Sequence, residues 1–235
     1  MRARGSHGPR RTKLALGLLA VLVAVAGLPA PAGAEPGEDG AHPDPPGFYG
    51  VTPQPGWMTE RAADRVHDFA QIGNTVYVAG TFSGVRPSQH GAVTYQGNLA
   101  AFDAVTGELI PGFAPDVNST VYSLAVAPDG SSLYAGGAFT SVNGQNHVRI
   151  AKLDPVTGAP DTAFDSDAGG GSVRSIVYRN GSLYVGGNFS AVEGLPRTRT
   201  ARVDALTGDV DPTWVPDVDG GSVLTVEIPT DGSRV

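Results

Sequence analysis

Between residues 173 and 211 the apolar and polar positions fall into short alternating runs, each closed by a turn signal. Val173-Arg174-Ser175-Ile176-Val177-Tyr178 is rich in β-branched and aromatic residues and predicts a strand. Arg179-Asn180-Gly181 follows, and Asn-Gly between two such runs predicts a hairpin because both residues tolerate φ > 0. Ser182-Leu183-Tyr184-Val185 returns as a second strand, and Gly186-Gly187 ends it where a bulge or a close backbone approach is needed. After a loop containing Pro, Thr200-Ala201-Arg202-Val203-Asp204 reads as a third strand. Leu206-Thr207-Gly208 turns the chain into a short polar outer strand, Asp209-Val210-Asp211, which Pro212 stops.

The pattern is written three times. Tyr77-Val78-Ala79-Gly80-Thr81-Phe82 becomes Tyr134-Ala135-Gly136-Gly137-Ala138-Phe139 and then Tyr184-Val185-Gly186-Gly187-Asn188-Phe189. Asp103-Ala104-Val105-Thr106-Gly107, Asp154-Pro155-Val156-Thr157-Gly158 and Asp204-Ala205-Leu206-Thr207-Gly208 follow in turn, and an aromatic, Phe113, Phe164 or Trp214, comes after each. Every landmark moves by 50 residues between the second and third copies. Such a period marks a repeat architecture, in which stacked neighbours bury the apolar faces that one unit cannot bury alone. Four short antiparallel strands in about fifty residues make one propeller blade. The expected fold is therefore all-β: a β-propeller with blades at 58–119, 120–171 and 172–221 and the start of a fourth at 222–235. In that fourth copy Gly221-Ser222-Val223-Leu224-Thr225-Val226 matches Gly171 to Ile176, and Thr230-Asp231-Gly232-Ser233 reads as its hairpin turn. Propellers close with about four to eight blades. The expectation is an incomplete ring, belonging to the N-terminal part of a longer protein or closed by self-association through open blade edges.

The repeated aromatics read as packing between neighbouring blades. The Asp-x-x-Thr-Gly phrase reads as a turn in which Asp and Thr bond their own backbone and Gly takes the left-handed conformation. The first copy carries six more residues between Phe82 and Asp103, among them Arg86, His90 and Tyr95. That is a tolerated surface insertion or a place for binding chemistry.

The N-terminal 34 residues stand apart. Arg2, Arg4, Arg10, Arg11 and Lys13 form a basic head, Leu14 to Leu28 is an uncharged apolar run, and Ala32-Gly33-Ala34 supplies small residues for cleavage after Ala34. This order predicts a secretory signal peptide. Pro29 and Pro31 close the run short of the roughly 20 apolar residues of a membrane-spanning helix, so none is expected after cleavage. Residues 35–57, rich in Pro, Gly and acid, predict an extended linker.

Removing the leader leaves 11 basic against 23 acidic residues, a net of −12, which argues against nucleic acid as a partner. The chain has no Cys, which excludes disulfides, thiolate zinc sites and cysteine nucleophiles. His42, His67, His90 and His147 share no repeat position and no metal-ligand spacing, and each reads as a surface or packing residue. No catalytic motif and no phosphate-binding loop is present. One repeated polar position follows the closing aromatic by three: Asp116, Asp167 and Asp217. Clustered oxygen ligands suit Ca²⁺, and turn-forming Asp is the alternative; no other cofactor is expected.

Gly136-Gly137-Ala138-Phe139-Thr140-Ser141-Val142 with Ile150-Ala151-Lys152-Leu153-Asp154, and Gly186-Gly187-Asn188-Phe189-Ser190-Ala191-Val192 with Thr200-Ala201-Arg202-Val203-Asp204, resemble the delta-sixty repeat of secreted bacterial propellers and, more distantly, kelch blades. Thr200 departs from the repeat's apolar preference, Ala79 replaces the first Gly of the first copy, and Leu99-Ala100-Ala101-Phe102-Asp103 lacks the basic residue. The resemblance spans residues 60 to 235 and implies a secreted or cell-surface location. Repeated structure without repeated chemistry leads to the expectation of a non-enzymatic extracellular binding or display module. Its partner would be an extracellular protein or polysaccharide. The alternative is part of a propeller hydrolase or oxidase whose catalytic residues lie outside this chain.

Overall fold

A computed structural model of the protein describes residues 64–85, 94, 96–216 and 218–228. The leader with its cleavage point after Ala34, the linker, His42, the insertion residues Arg86, His90 and Tyr95, Asp217 and the 230–233 turn lie outside the described residues.

Among the described residues fourteen strands follow one another. Three antiparallel sheets carry the repeat: β1 (Arg65–Ile72), β2 (Thr75–Thr81) and β3 (Leu99–Asp103) form the first. In the second, β4 (Val121–Val126) and β5 (Leu133–Gly137) are followed by a short hairpin, β6 (Ser141–Val142) and β7 (Gln145–Asn146), before β8 (Ile150–Leu153) completes the sheet. Next comes β9 (Ala168–Gly169), then the third sheet: β10 (Val173–Arg179), β11 (Ser182–Gly187) and β14 (Thr200–Asp204). The hairpin β12 (Ala191–Val192) and β13 (Leu195–Pro196) pairs back onto β9.

The turn chemistry acts as the sequence predicts. Asn180 and Gly181 both have positive φ, 48° and 76°, between β10 and β11. Asp154 Oδ1 accepts from the backbone N–H of Val156 at 2.9 Å and Thr157 at 2.7 Å and from the Thr157 hydroxyl at 2.8 Å. Asp103 and Asp204 make the same three bonds in their own turns.

Two elements differ from expectation. The outer fourth strand shrinks to a single bridge in each blade: Phe102 to Leu109, Leu153 to Pro160 and Val203 to Val210. In the third blade Pro212 ends the ladder, and Asp211 turns to Arg202 and to the hydroxyl and backbone of Thr213. The loop before the third strand is not irregular. It holds the short hairpins, turned at Asn143-Gly144 and Glu193-Gly194, all four at positive φ.

The core lies between blades. Tyr77, Ala79, Leu99 and Phe113 of the first pack with Val121, Leu133, Phe139 and Leu153 of the second. Tyr134 and Phe164 of the second pack with Ile176, Leu183, Val185 and Phe189 of the third. Burying Tyr and Phe side chains contributes roughly 1.5–3 kcal/mol each, so these junctions carry much of the stability of a chain without disulfides.

Candidate functional site

The first strands of successive blades are neighbours and form the inner side of the array. Each carries one irregularity. The register slips between Val66 and Asp68 in β1, between Val121 and Ser123 in β4, and between Val173 and Ser175 in β10. The cause sits on the partner strand: an added Cβ on Gly80, Gly137 or Gly187 would strike the backbone carbonyl of Arg65, Thr120 or Ser172. Only Gly lets the two strands approach there, and the first strand answers with an extra residue.

The residue after each bulge ties the blades together. Asp68 Oδ2 accepts from the Leu124 N–H at 2.8 Å, Ser123 Oγ from Ile176 N–H at 3.2 Å, and Ser175 Oγ from Val226 N–H at 3.0 Å. This ladder needs a short side-chain oxygen at every copy, and the sequence supplies Asp68, Ser123, Ser175 and Thr225. A second ladder starts from the residue before each third strand. Asn98 donates to the Val117 carbonyl at 2.8 Å, Arg149 to that of Ala168, and Arg199 to that of Val218 at 2.8 Å.

The bulged residue is released from both ladders, and it differs in every blade: His67, Tyr122, Arg174 and, by the same sequence pattern, Leu224. Three of them converge. The His67 and Tyr122 rings lie 5.1 Å apart at a 58° tilt. The Arg174 guanidinium sits 4.1 Å from the centre of the Tyr122 ring, a cation–π arrangement. His67 Nε2 is 3.1 Å from the Thr81 hydroxyl, which is 2.9 Å from that of Thr120. Burial, then the positive charges of Arg65 and Arg174, holds the His67 imidazole below its usual pKa. Bulges re-aim side chains, and here each of three blades sends one to the same place. The sequence carried this signal as a variable residue framed by Val and Asp, Ser or Thr. His67 had read only as a surface or packing residue, because no spacing within one blade connects it to Tyr122 or Arg174.

Asp116 and Asp167 occupy equivalent places in different blades, and Asp217 is outside the described residues. Asp116 exchanges backbone-linked bonds with Asn143, donating its N–H to Oδ1 at 2.7 Å and accepting from the Asn143 N–H at 2.8 Å. Asp167 does the same with Glu193, and its carboxylate also accepts from the Val148 N–H at 2.8 Å. Among the described residues no three His, Cys, Asp or Glu side chains gather to hold a metal ion. His147 is buried, with Asp161, Asp165 and Asp167 near it.

The comparisons agree with this architecture. The family model described as a domain of unknown function (DUF5122) beta-propeller matches residues 127–164 and 179–213, one turn-to-turn stretch in each of the second and third blades. No curated protein matches the chain. Solved structures with similar arrangements include the WD40 repeats of RRP9, at 12% identity, TM-score 0.47, over 71% of this chain and 42% of that one. U3-55K matches at 12% identity and TM-score 0.46, over 71% of this chain and 43% of that one. The computationally designed Ika4 protein matches at 14% identity and TM-score 0.46, over 72% of this chain and 83% of that one. The chain thus spans less than half the length of the first two. Its three repeated antiparallel units, packed through their inner strands, define a β-propeller.

Proposed function

We propose that this β-propeller is a non-enzymatic binding or display module, exported and held outside the cell, which takes its ligand on the inner rim formed by His67, Tyr122 and Arg174. The carrying observation is that a position freed from both inter-blade ladders differs in chemistry in every blade, and that three blades bring it to one point. A scaffold repeated for packing, with varied side chains facing a common point, suits recognition. The basic head and apolar run of the first 34 residues support export, and the resemblance to secreted delta-sixty repeats supports the same location.

Two measurements test the reading. The intact mass of the secreted protein should correspond to cleavage after Ala34; recovery only from the cytosol with the leader attached overturns the extracellular location. Binding of the full chain to glycan and peptide arrays should be lost on Tyr122→Leu while the melting midpoint holds. Binding untouched by Tyr122→Leu and by Leu224→Asp would move the ligand site away from the rim.

A further inference from the structure

The positive charge of Arg174 at the rim stands apart from the ion pairs of Lys152 with Asp161, at 2.8 Å, and of Arg202 with Asp211. Arg174 is held by its face, on Tyr122. Its Nε–H is shielded from water and has no acceptor. The carboxylate beside His67, that of Asp68, is turned to the backbone, with Oδ2 on the Leu124 N–H and Oδ1 on the Phe69 N–H. All this stands in a chain whose formal net charge is −7, so the local sign is opposite to that of the whole.

A guanidinium stacked on an aromatic ring still offers its outer end, where two Nη–H bonds point in parallel and match the two oxygens of a planar carboxylate. The groups around that end are flat or apolar. They are the Tyr122 ring on which Arg174 stacks and the His67 ring 5.1 Å from it, and Leu224, 69% exposed, takes the matching sequence position in the following repeat. We propose that the inner rim binds an organic carboxylate, with Arg174 pairing the carboxylate and Tyr122, His67 and Leu224 contacting the carbon skeleton beside it. The proposal rests on the reading of the rim as the binding surface. The occupant is the free C-terminus of a peptide ending in an apolar residue, since two rings and an exposed Leu offer apolar contact; binding of the hexuronate units of an acidic polysaccharide instead would overturn that choice.

The test uses the full chain and four probes: a hexuronate oligosaccharide, a neutral hexose oligosaccharide of equal length, a peptide ending in Leu with a free carboxylate, and its C-terminal amide. Affinities are measured for wild type, Arg174→Gln, Arg174→Lys and Tyr122→Leu, and the Arg174 Nε–H resonance is followed during each titration. The acid peptide should bind and shift that resonance, and its amide should bind about tenfold more weakly or worse, the cost of one charged hydrogen-bonded contact. Arg174→Gln should lose the same factor, and Arg174→Lys should recover only part of it, because an ammonium has charge without the fork. If both acid probes leave the resonance unmoved, or bind Arg174→Gln as they bind wild type, the proposal is overturned. If neutral and acid probes bind alike and Tyr122→Leu abolishes both, the carboxylate is overturned while the rim stands as the binding surface. Should Arg174→Gln fail to fold, Arg174→Lys and the wild-type resonance still decide.

Discussion

The Tyr134 hydroxyl of the second blade donates to the backbone carbonyl of Ala205 in the third, at 2.9 Å, seventy-one residues along the chain. Tyr77 does the same to Pro155 at 2.6 Å, from the first blade to the second. In both cases the acceptor is the residue after the Asp that opens the Asp-x-x-Thr-Gly turn. The two repeated phrases are therefore the two halves of one inter-blade contact, Tyr on one blade and turn on the next.

That contact predicts an ordered series. Tyr134→Phe keeps the ring against Phe164 and Tyr178 but strands a buried carbonyl, and should cost about 1–2 kcal/mol. Tyr184→Phe, whose hydroxyl lies near Arg202 and whose ring packs edge-on against Trp214, should cost less, about 0.5 kcal/mol. Urea midpoints at unchanged slope would show it, and equal costs at the two sites would refute the carbonyl's role. Burial pushes the Tyr134 phenol up to about 12 from its usual value of 10.0. The fold keeps it protonated after the unfolded chain has ionised, so its contribution is whole below about pH 10 and is lost as pH rises toward 12.

The Gly-Gly pair divides its work, and substitution should separate the two roles. A Cβ on Gly136 would meet Val173 Cγ1 at 2.7 Å, a side chain of the next blade. A Cβ on Gly137 would strike the Thr120 carbonyl, which is backbone held in the bulge. A side chain can give way and a bulged strand cannot. Gly136→Ala should cost about 1 kcal/mol and Gly137→Ala about 3 kcal/mol or more. The first copy has made the milder change already: Ala79 stands where Gly136 and Gly186 stand, fully buried, while Gly80 is retained. Equal midpoints for the two variants would show that the bulge is adaptable.

The repeat, the hairpin at Asn180-Gly181 and the Asp-centred turns were legible in the sequence because each is fixed by neighbours within a few residues. The short hairpins at Asn143-Gly144 and Glu193-Gly194 carried a weaker local signal, and Pro196 hid the second. The rim was not legible. His67, Tyr122 and Arg174 are about fifty residues apart, and only the bulge, forced by a Gly on the partner strand, turns them to one point. The resemblance of the repeats marked which positions recur, whereas the site lies where they differ.

The Asp turns should contribute to the acid limit of the fold. Above all the backbone N–H of Thr106, Thr157 or Thr207 holds the carboxyl of Asp103, Asp154 or Asp204 below the reference value of 3.8. A depressed carboxyl stabilises the fold above the unfolded value and loses that contribution as pH falls through the folded one. The melting midpoint should therefore hold down to about pH 4 and drop below it. Replacing all three by Asn should remove part of that drop, since the amide oxygen still accepts but no longer titrates; the remainder belongs to groups such as Asp211, which the Thr213 hydroxyl and Arg202 hold well below the usual carboxylate range. A wild-type slope in the triple variant would place acid sensitivity elsewhere.

His147 should act from a higher pH. It is buried, only 6% exposed, and that burial holds its imidazole below the usual 6.5 despite the opposing charges of Asp167, Asp165 and Asp161. The folded protein keeps it neutral while the unfolded chain takes up a proton near pH 6.5. Its contribution is present above that pH and begins to be lost as pH falls through it toward the folded value. The repeat supplies the control residue, because Gln96 occupies the matching place in the first blade, also buried, and bonds the Phe113 carbonyl. His147→Gln should fold, and its urea midpoint should fall less than that of wild type between pH 7.5 and pH 5.5. His67, also held low, titrates in both proteins and cancels in the comparison. An equal fall in both would mean that His147 takes up its proton in the fold without cost, through the three carboxylates around it.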